Sequence, residues 1–193
     1  MFALVLGLVI GMLTVIPLGP LSMTIIGVAA DRGPRHGVRA ALGVVGGDVV
    51  LGTGAVGLVI AGRALPSDVF TGLQLGSAVI VIGFGLALVG RARELRRLVG
   101  RINRPMVTLF AMTTVSPSIG SWVALMLASP FTSHGASLAL FAVGIALASL
   151  VWHPALGAGA GYLAPRLSER RLLTLARIGG VSMAAMGVGL LVV

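Results

Sequence analysis

Long apolar stretches recur along the chain and alternate with short polar connections. A window of about 19 residues is the usual test for transmembrane helices, and it finds six such stretches here. Each reaches the roughly 20 residues that a helix needs to cross about 30 Å of hydrocarbon. The runs are continuously apolar, which favours helices over the alternating pattern of a β-barrel. The stretches cover residues 2–30, 38–62, 69–90, 106–129, 135–163 and 172–193. The pattern predicts an all-α membrane protein with six transmembrane helices.

Composition supports the same class. The 193 residues are 57% hydrophobic and only 10% charged, whereas soluble domains carry about 25% charged residues. A chain of this length could not enclose so much apolar surface in a water-soluble fold. No connection is long enough to fold alone, so we expect residues 1–193 to form a single transmembrane domain. Cysteine is absent, which excludes disulfides and thiolate metal sites.

The distribution of arginine predicts the topology. The net charge is +9, and the chain has 14 arginines and no lysine. Thirteen of them lie in or beside the first, third and fifth connections, and the second and fourth connections hold only Arg63. Arginine is retained on the cytoplasmic side, which predicts a multi-pass protein of the bacterial cytoplasmic (inner) membrane with both termini outside. Because the arginines form no separate basic domain, we expect no nucleic-acid partner.

The basic third connection divides the chain into two halves. Half one covers residues 1–90, the cytoplasmic basic loop covers 91–104, and half two covers 105–193. Each half holds three predicted spans, and an odd number of spans makes the halves antiparallel in the membrane. Two antiparallel three-helix inverted repeats are typical of secondary transporters.

Helix-breaking residues interrupt the first span of each half. Proline removes a backbone donor and clashes with the preceding turn, and freed backbone groups must face protein or an aqueous cavity. Broken helices at matching positions indicate a binding site at the membrane midplane, although each proline could also merely kink a packed helix. The candidate residues are Pro17, Gly19, Pro20 and Ser22 in half one, and Ser116, Pro117, Ser118 and Ser121 in half two.

Asp48 is the one acidic residue inside a predicted span. It lies about ten residues into the second apolar stretch, near the bilayer centre. An aspartate there costs about 2.5 to 3.5 kcal/mol on insertion scales, so it should face the interior of the bundle and serve a function. We interpret Asp48 as a site for a proton or an ammonium group. The alternative is a hydrogen bond that only holds two helices together, worth about 0.6 kcal/mol on average.

Polar residues in the fifth span occupy the matching place in half two. Asp48 follows Pro17 by 31 residues, and Ser149 follows Pro117 by 32 residues. Ser149, Trp152 and His153 therefore belong to the predicted substrate and ion pathway. His153 could titrate or donate to a substrate, or it could instead reach interfacial water.

The sequence lacks the usual signatures of enzymes and cofactor proteins. It has no second intramembrane acid for an aspartyl protease, no phosphate-binding loop and no metal-binding spacing of histidine and glutamate. We expect no enzyme activity, no cofactor, no metal site and no ATP-driven transport by this chain alone.

With these motifs identified, the sequence resembles the lysine exporter (LysE) family of bacterial amino-acid exporters over nearly its whole length. The resemblance rests on five segments: Ile16–Pro20, Arg35–Arg39, Gly47–Val50, Ser149–Trp152 and Leu163–Leu167. It implies efflux of basic or neutral amino acids, driven by the proton gradient or membrane potential, through a pathway formed by the midplane motifs.

Two departures from the family pattern bear on the substrate. The fourth span of such exporters usually reads Asn-Pro, where this chain has Ser116-Pro117. Members that export basic amino acids also place an acid a few residues later, where this chain has Gly120, Ser121 and Trp122. The resemblance therefore implies an exporter without the partner that a cationic side chain needs.

The leading hypothesis is a secondary transporter that exports a small polar solute, an amino acid, with Asp48 as its proton or ammonium site. The alternatives are efflux of a cation or a lipid-like solute, or a membrane accessory subunit that transports nothing. Expected partners are the small-molecule substrate and membrane lipid, and a homodimer is expected by analogy with other small transporters.

Overall fold

The computed structural model describes residues 1–16, 20–61, 102–116, 119–163, 166 and 169–192. Between residues 62 and 101 it also describes 68, 71–72, 75–76, 78–79, 82–83, 85–87, 89–91 and 94. All regular secondary structure in these residues is helical. The helices with defined bounds are α1 (Phe2–Val15), α2 (Pro20–Arg32), α3 (Pro34–Ile60), α4 (Pro105–Thr114), α5 (Ile119–Ala128), α6 (Gly135–Leu163) and α7 (Glu169–Val192).

Two helices, α3 with 27 residues and α6 with 29, are long and apolar enough to cross a bilayer. They correspond to the second and fifth predicted stretches, and α6 begins and ends where the sequence predicted. The first and fourth stretches each form two shorter helices, α1 with α2 and α4 with α5. Part of the third stretch lies outside the described residues, and the part that is described is helical.

A tight corner separates α2 from α3. Gly33 has φ 87°, a left-handed conformation that suits glycine because it has no Cβ. Pro34 then begins α3 at a position where the missing N–H costs no intrahelical hydrogen bond. The His36 ring lies 2.9 Å from the carbonyl oxygen of Arg32 through Nδ1, which caps the end of α2. The corner lets α2 fold back against α3.

Helices α3 and α6 lie antiparallel along their full length. A Cβ atom built on Gly161 would overlap Pro34, and one built on Gly157 would lie 2.6 Å from the carbonyl oxygen of Gly37. At the other end, a Cβ on Gly135 would lie 3.4 Å from the side chain of Ile60. Only residues without a side chain allow the two backbones to approach this closely. Glycine therefore sets the spacing of the central helix pair.

Helix α1 packs in parallel along α6. A Cβ atom on Gly7 would overlap the backbone of Phe141, and one on Gly11 would lie 2.8 Å from the Cβ of Ala148. Both contacts lie in the first half of α6. Helix α1 thus ends beside the middle of α6.

Helix α4 packs in parallel along α3 in the same way. A Cβ atom on Gly43 would overlap the backbone of Met106, and one on Gly47 would lie 2.7 Å from Cγ2 of Thr113. The two glycines of the Gly43-x-x-x-Gly47 motif therefore form the contact with α4. Helix α4 ends beside the middle of α3.

The buried apolar side chains form two clusters, one on each side of this middle level. On α3 the first cluster ends with Val44 and the second begins with Leu51. The first comprises Ile25, Val28, Ala40, Ala41, Val44 and Leu109. The second comprises Ala3, Leu51, Ala55, Trp122, Val123, Met126, Leu138, Phe141, Ala142 and Ile145. The interval between them on α3 contains Asp48.

One end of the α3–α6 pair carries five of the described arginines. Arg32, Arg35 and Arg39 surround the start of α3, and Arg104 directly precedes α4. Arg166 follows the end of α6. We refer to this as the arginine-bearing end. The opposite end holds an aromatic contact, with the rings of Phe2 and Phe131 6.0 Å apart.

The close contact of α3 and α6 gives a direct test of stability. We expect Gly157→Ala to lower the free energy of unfolding by about 1–3 kcal/mol, because the new Cβ meets the backbone of Gly37 and cannot be accommodated by a side-chain shift. Gly159→Ala is the matched control, since a Cβ there meets nothing within 4 Å and alanine favours the helix. Unfolding in detergent, followed by circular dichroism, measures both. Equal effects of the two variants would contradict the packing.

Candidate functional site

Three polar side chains meet where α3 and α6 cross the middle of the fold. The hydroxyl of Ser149 donates to Oδ2 of Asp48 over 2.6 Å. The same Oγ atom lies 2.9 Å from Nδ1 of His153. Ser149 is 1% exposed and His153 is 5% exposed, while Asp48 is half-buried. We call these three residues the polar cluster.

The two long helices position the cluster. Asp48 lies 14 residues after Pro34 and 12 before Ile60, at the midpoint of α3. Ser149 and His153 are four residues apart on α6, so they lie on the same face one turn from each other. The approach of the backbones at Gly37 and Gly157 brings the short side chains of Asp48 and Ser149 within hydrogen-bonding distance.

The serine hydroxyl is the central member of the cluster. A hydroxyl has one proton to donate and lone pairs that accept. When Ser149 donates to Asp48, it must accept from an N–H at Nδ1 of His153. In a serine hydrolase the imidazole lies between the acid and the serine, and here the order is acid, serine, imidazole. The serine therefore links Asp48 and His153 in one chain of hydrogen bonds, but the histidine is not placed as a base oriented by the acid.

A cavity of about 370 Å³ lies between α3 and α6, with Asp48 in its wall. This volume is within the range of roughly 300–1,000 Å³ typical of small-molecule sites. Apart from Asp48 and Thr53, the described residues that line it are apolar. The lining residues are Val45, Asp48, Val49, Gly52, Thr53 and Val56 on α3, and Ala139, Ala142, Val143, Ala146, Leu147 and Leu150 on α6. The cavity extends from Asp48 away from the arginine-bearing end.

The interruption between α4 and α5 lies at the level of Asp48. Thr113, one residue before the end of α4, packs on Gly47, and Trp122 in the first turn of α5 packs on Gly52. The Thr113 hydroxyl donates to the Leu109 carbonyl over 2.8 Å, so it is satisfied within its own helix. The second predicted break thus faces the segment of α3 that carries Asp48.

The interruption between α1 and α2 lies at the level of Ser149. Gly11, one turn before the end of α1, packs on Ile145 and Ala148. Helix α2 begins at Pro20, so regular helices end and resume on either side of the predicted motif. Both pairs of helix ends therefore flank the polar cluster.

The described residues include only part of the site predicted from the sequence. Asp48, Ser149 and His153 come together, Ser22 is 3% exposed on α2, and Ser116 is half-buried just after α4. Pro17, Gly19, Pro117 and Ser118 lie outside the described residues, as do the side chains of Pro20 and Ser121. Their roles remain predictions.

Trp152 presents a buried hydrogen-bond donor. Among the residues that the structure describes, its indole Nε1 has no acceptor, and a buried unsatisfied polar group costs about 1–3 kcal/mol. Trp152 lies three residues after Ser149 on α6, so both belong to one face of the helix. A donor left unsatisfied beside a cluster of polar groups is available to an acceptor on a bound solute.

The sequence analysis missed Thr53 and the apolar walls of the cavity. Thr53 follows Asp48 by five residues, and its hydroxyl donates to the Val49 carbonyl over 2.7 Å. The other lining residues are aliphatic or glycine and resemble ordinary membrane-helix residues, so nothing in the sequence marked them. Metal binding has no support in the described part of the chain, where no three histidine, aspartate or glutamate residues are grouped.

Comparison with known proteins identifies one family. The family model described as LysE type translocator matches residues 12–193. No curated protein and no solved structure matches the chain.

The contact between Asp48 and Ser149 can be measured by a double-mutant cycle. We expect Asp48→Ala and Ser149→Ala to be coupled by about 0.6–1.7 kcal/mol in unfolding free energy, the range found for hydrogen bonds between membrane helices. Ser129→Ala is the control partner, because the buried Ser129 hydroxyl donates to its own helix at Met126 over 2.8 Å. Its coupling to Asp48→Ala should be near zero. A coupling no larger than that of the control pair would refute the contact.

Proposed function

The chain belongs to the LysE type translocator family, and on this premise we propose that it is a secondary transporter that exports a small amino acid across the bacterial inner membrane. The family is one of transporters, not enzymes, and the apolar helices fit a membrane protein. The observation that carries the proposal is the polar cluster at the midpoint of the two long helices. In the proposal, Asp48 holds either a proton or the ammonium group of the solute.

The chemistry beside the cavity supports a zwitterionic solute. Asp48 in the cavity wall offers a carboxyl group to an ammonium. The N–H of Trp152, which lies two residues beyond the lining residue Leu150 and has no acceptor among the described residues, offers a donor to a carboxylate. Pro154 has no N–H to donate to the carbonyl of Leu150, a residue that lines the cavity. The Leu150 carbonyl therefore lacks its intrahelical donor and is a second acceptor. A volume of about 370 Å³ favours a small side chain.

We propose that the two halves form an inverted repeat, and the helix contacts support this. Ser149 follows Asp48 by 101 residues, and Gly144 follows Gly43 by the same interval. Gly43 packs on the start of α4 in half two, and Gly144 packs on α1 in half one. A rotation that superposes each half on the other therefore also interchanges these two contacts. Residues related in this way meet each other only at the axis between the halves, so we propose that the axis passes through the Asp48–Ser149 contact.

The proposed topology has six spans, with the arginine-bearing end in the cytoplasm and both termini outside. Its support is the clustering of Arg32, Arg35, Arg39 and Arg104 at one end of the α3–α6 pair. Because arginine is retained on the cytoplasmic side, the cavity then lies on the outer side of Asp48.

One observation favours a different solute. All the cavity residues other than Asp48 and Thr53 are apolar, which would also suit a lipid-like molecule. Transport of a divalent cation has less support, since hard cations need several oxygen ligands and Asp48 supplies the one carboxylate of the cavity wall. A subunit that transports nothing would show no flux for any solute.

Asp48→Asn tests the proposal. We expect it to abolish amino-acid export from loaded proteoliposomes while leaving membrane insertion and folding intact, because an amide can neither take up a proton nor pair with an ammonium group. Glu94→Gln is the matched control, since it removes an exposed carboxylate in the basic loop and should export at the wild-type rate. A panel of labelled amino acids, cations and lysolipids separates the alternatives. Export that survives in Asp48→Asn would contradict the mechanism.

Trp152→Phe tests the recognition of the carboxylate. The change keeps an aromatic ring and removes the N–H, so the half-saturation concentration for the exported amino acid should rise about tenfold, as expected for a lost hydrogen bond to a charged group. Trp122→Phe is the control, because Trp122 is 7% exposed in the apolar core. The amide of the same amino acid should show a smaller loss, because a hydrogen bond to its neutral carbonyl is weaker than one to a carboxylate. An equal loss for acid and amide would count against the assignment.

A further inference from the structure

We propose that Asp48, Ser149 and His153 form a proton relay, in which the Ser149 hydroxyl carries a proton between the cavity and the arginine-bearing half of the protein. The inference rests on the proposed function and deepens it, because it assigns the path of the coupling ion. It is drawn from the geometry of three side chains and from the position of the cavity relative to them.

The two short contacts allow transfer in both directions. The Ser149 Oγ atom lies 2.6 Å from Asp48 Oδ2 and 2.9 Å from His153 Nδ1, and both distances are those of direct hydrogen bonds. Transfer starts from the other hydrogen-bond direction, in which a protonated Asp48 donates to Ser149 Oγ and Ser149 donates to Nδ1 of a neutral His153 that carries hydrogen on Nε2. The Asp48 O–H and the original Ser149 O–H bonds break, and a new Ser149 O–H bond and a His153 N–H bond form. The products are a carboxylate, a neutral serine that now donates to it, and an imidazolium, so the net change is one proton moved from Asp48 to His153.

The relay connects two different regions. Asp48 lines the cavity, whose α3 residues continue from Val45 to Val56, away from the arginine-bearing end. His153 does not line the cavity, is 5% exposed, and lies one helical turn nearer the arginine-bearing end than Ser149. A proton that enters through the cavity and reaches Asp48 therefore leaves through His153 on the opposite side. In the proposed topology this is movement into the cell, the direction that would drive export.

Serine suits the central position because it is neutral and can donate and accept at once. A second acid at this place would repel an ionised Asp48, and an alanine would leave a gap in the hydrogen-bond chain. Ser149 is 1% exposed, so bulk water cannot replace its hydroxyl without rearrangement of the helices. The relay thus depends on this one group.

Few other ionisable groups on the surrounding helices could take the role. Among the described residues, α1, α4 and α5 carry no titratable side chain. Helix α2 carries Asp31 and Arg32 in its last turn, and α3 carries Arg35, His36 and Arg39 near its start. Arg39 lies nine residues from Asp48, about 14 Å along the helix. On α6 the remaining titratable group is Tyr162, nine residues beyond His153.

Two transport assays separate the relay from binding. Export driven by a pH gradient requires net proton movement, whereas exchange of labelled for unlabelled solute across the membrane requires only binding and conformational change. The protein is reconstituted in liposomes containing a pH dye, and each standard L-amino acid is used as the probe. We compare wild type with Ser149→Ala, Ser149→Thr and His153→Gln, and size-exclusion chromatography checks that each variant is folded.

The expected result is selective. Ser149→Ala and His153→Gln should lose gradient-driven export and the accompanying proton flux by about tenfold or more, in keeping with the usual size of proton-transfer effects, while exchange falls by a much smaller factor. Ser149→Thr keeps a hydroxyl and should retain both activities. This pattern supports the relay, because a merely structural serine would lower exchange and export by the same factor.

The other outcomes overturn the relay in distinguishable ways. Gradient-driven export that persists in Ser149→Ala shows that the proton does not need the hydroxyl. Loss of both activities in folded Ser149→Ala, or of gradient-driven export in folded Ser149→Thr, assigns the serine to binding or packing. A wild-type protein that shows neither activity with any amino acid overturns the proposed function, and the relay with it.

Discussion

The hydrogen bond between Asp48 and Ser149 is the interaction on which the rest of the structure depends. It joins the midpoints of the two long helices over 2.6 Å, in surroundings where an unpaired polar group is costly. Two short side chains can meet only when their backbones are close, and glycine at positions such as Gly37 and Gly157 supplies that closeness. Packing and polar chemistry are thus linked: the same approach that holds α3 to α6 also satisfies the one acid in the middle of α3.

The parts of the fold that follow from local pattern could be predicted from the sequence. Helix α6 occupies 135–163 as the apolar run indicates, because a continuous hydrophobic stretch of that length has one stable conformation in lipid. The ends of α1 and α4 near Pro17 and Pro117 follow from the missing N–H of proline. The similar separations of Asp48 from Pro17 and of Ser149 from Pro117 predicted which helices would supply polar groups to the middle of the fold.

What the sequence could not supply depends on tertiary packing. The cavity wall consists of valine, alanine, leucine and glycine side chains that are chemically identical to those facing lipid, so only the placement of α3 against α6 reveals it. Whether the N–H of Trp152 finds an acceptor depends on the residues packed around it, so the tryptophan in the sequence does not reveal an unsatisfied donor. The sequence left open whether His153 reaches interfacial water. In the structure its ring turns into the fold and contacts Ser149 instead.

A single carboxyl group can hold a proton or pair with an ammonium group, but not both. In the proposed exporter this exclusion is itself the source of coupling, since the solute binds Asp48 once its proton has left and a returning proton displaces the solute. The cavity gives access to one face of the carboxyl group, and Ser149 approaches it from α6. In the proposed relay a proton that arrives through the cavity leaves by Ser149, and this departure frees the carboxylate for the ammonium group of the solute. The absence of another acid from the cavity wall therefore fits a neutral zwitterion whose ammonium competes with one proton for one site.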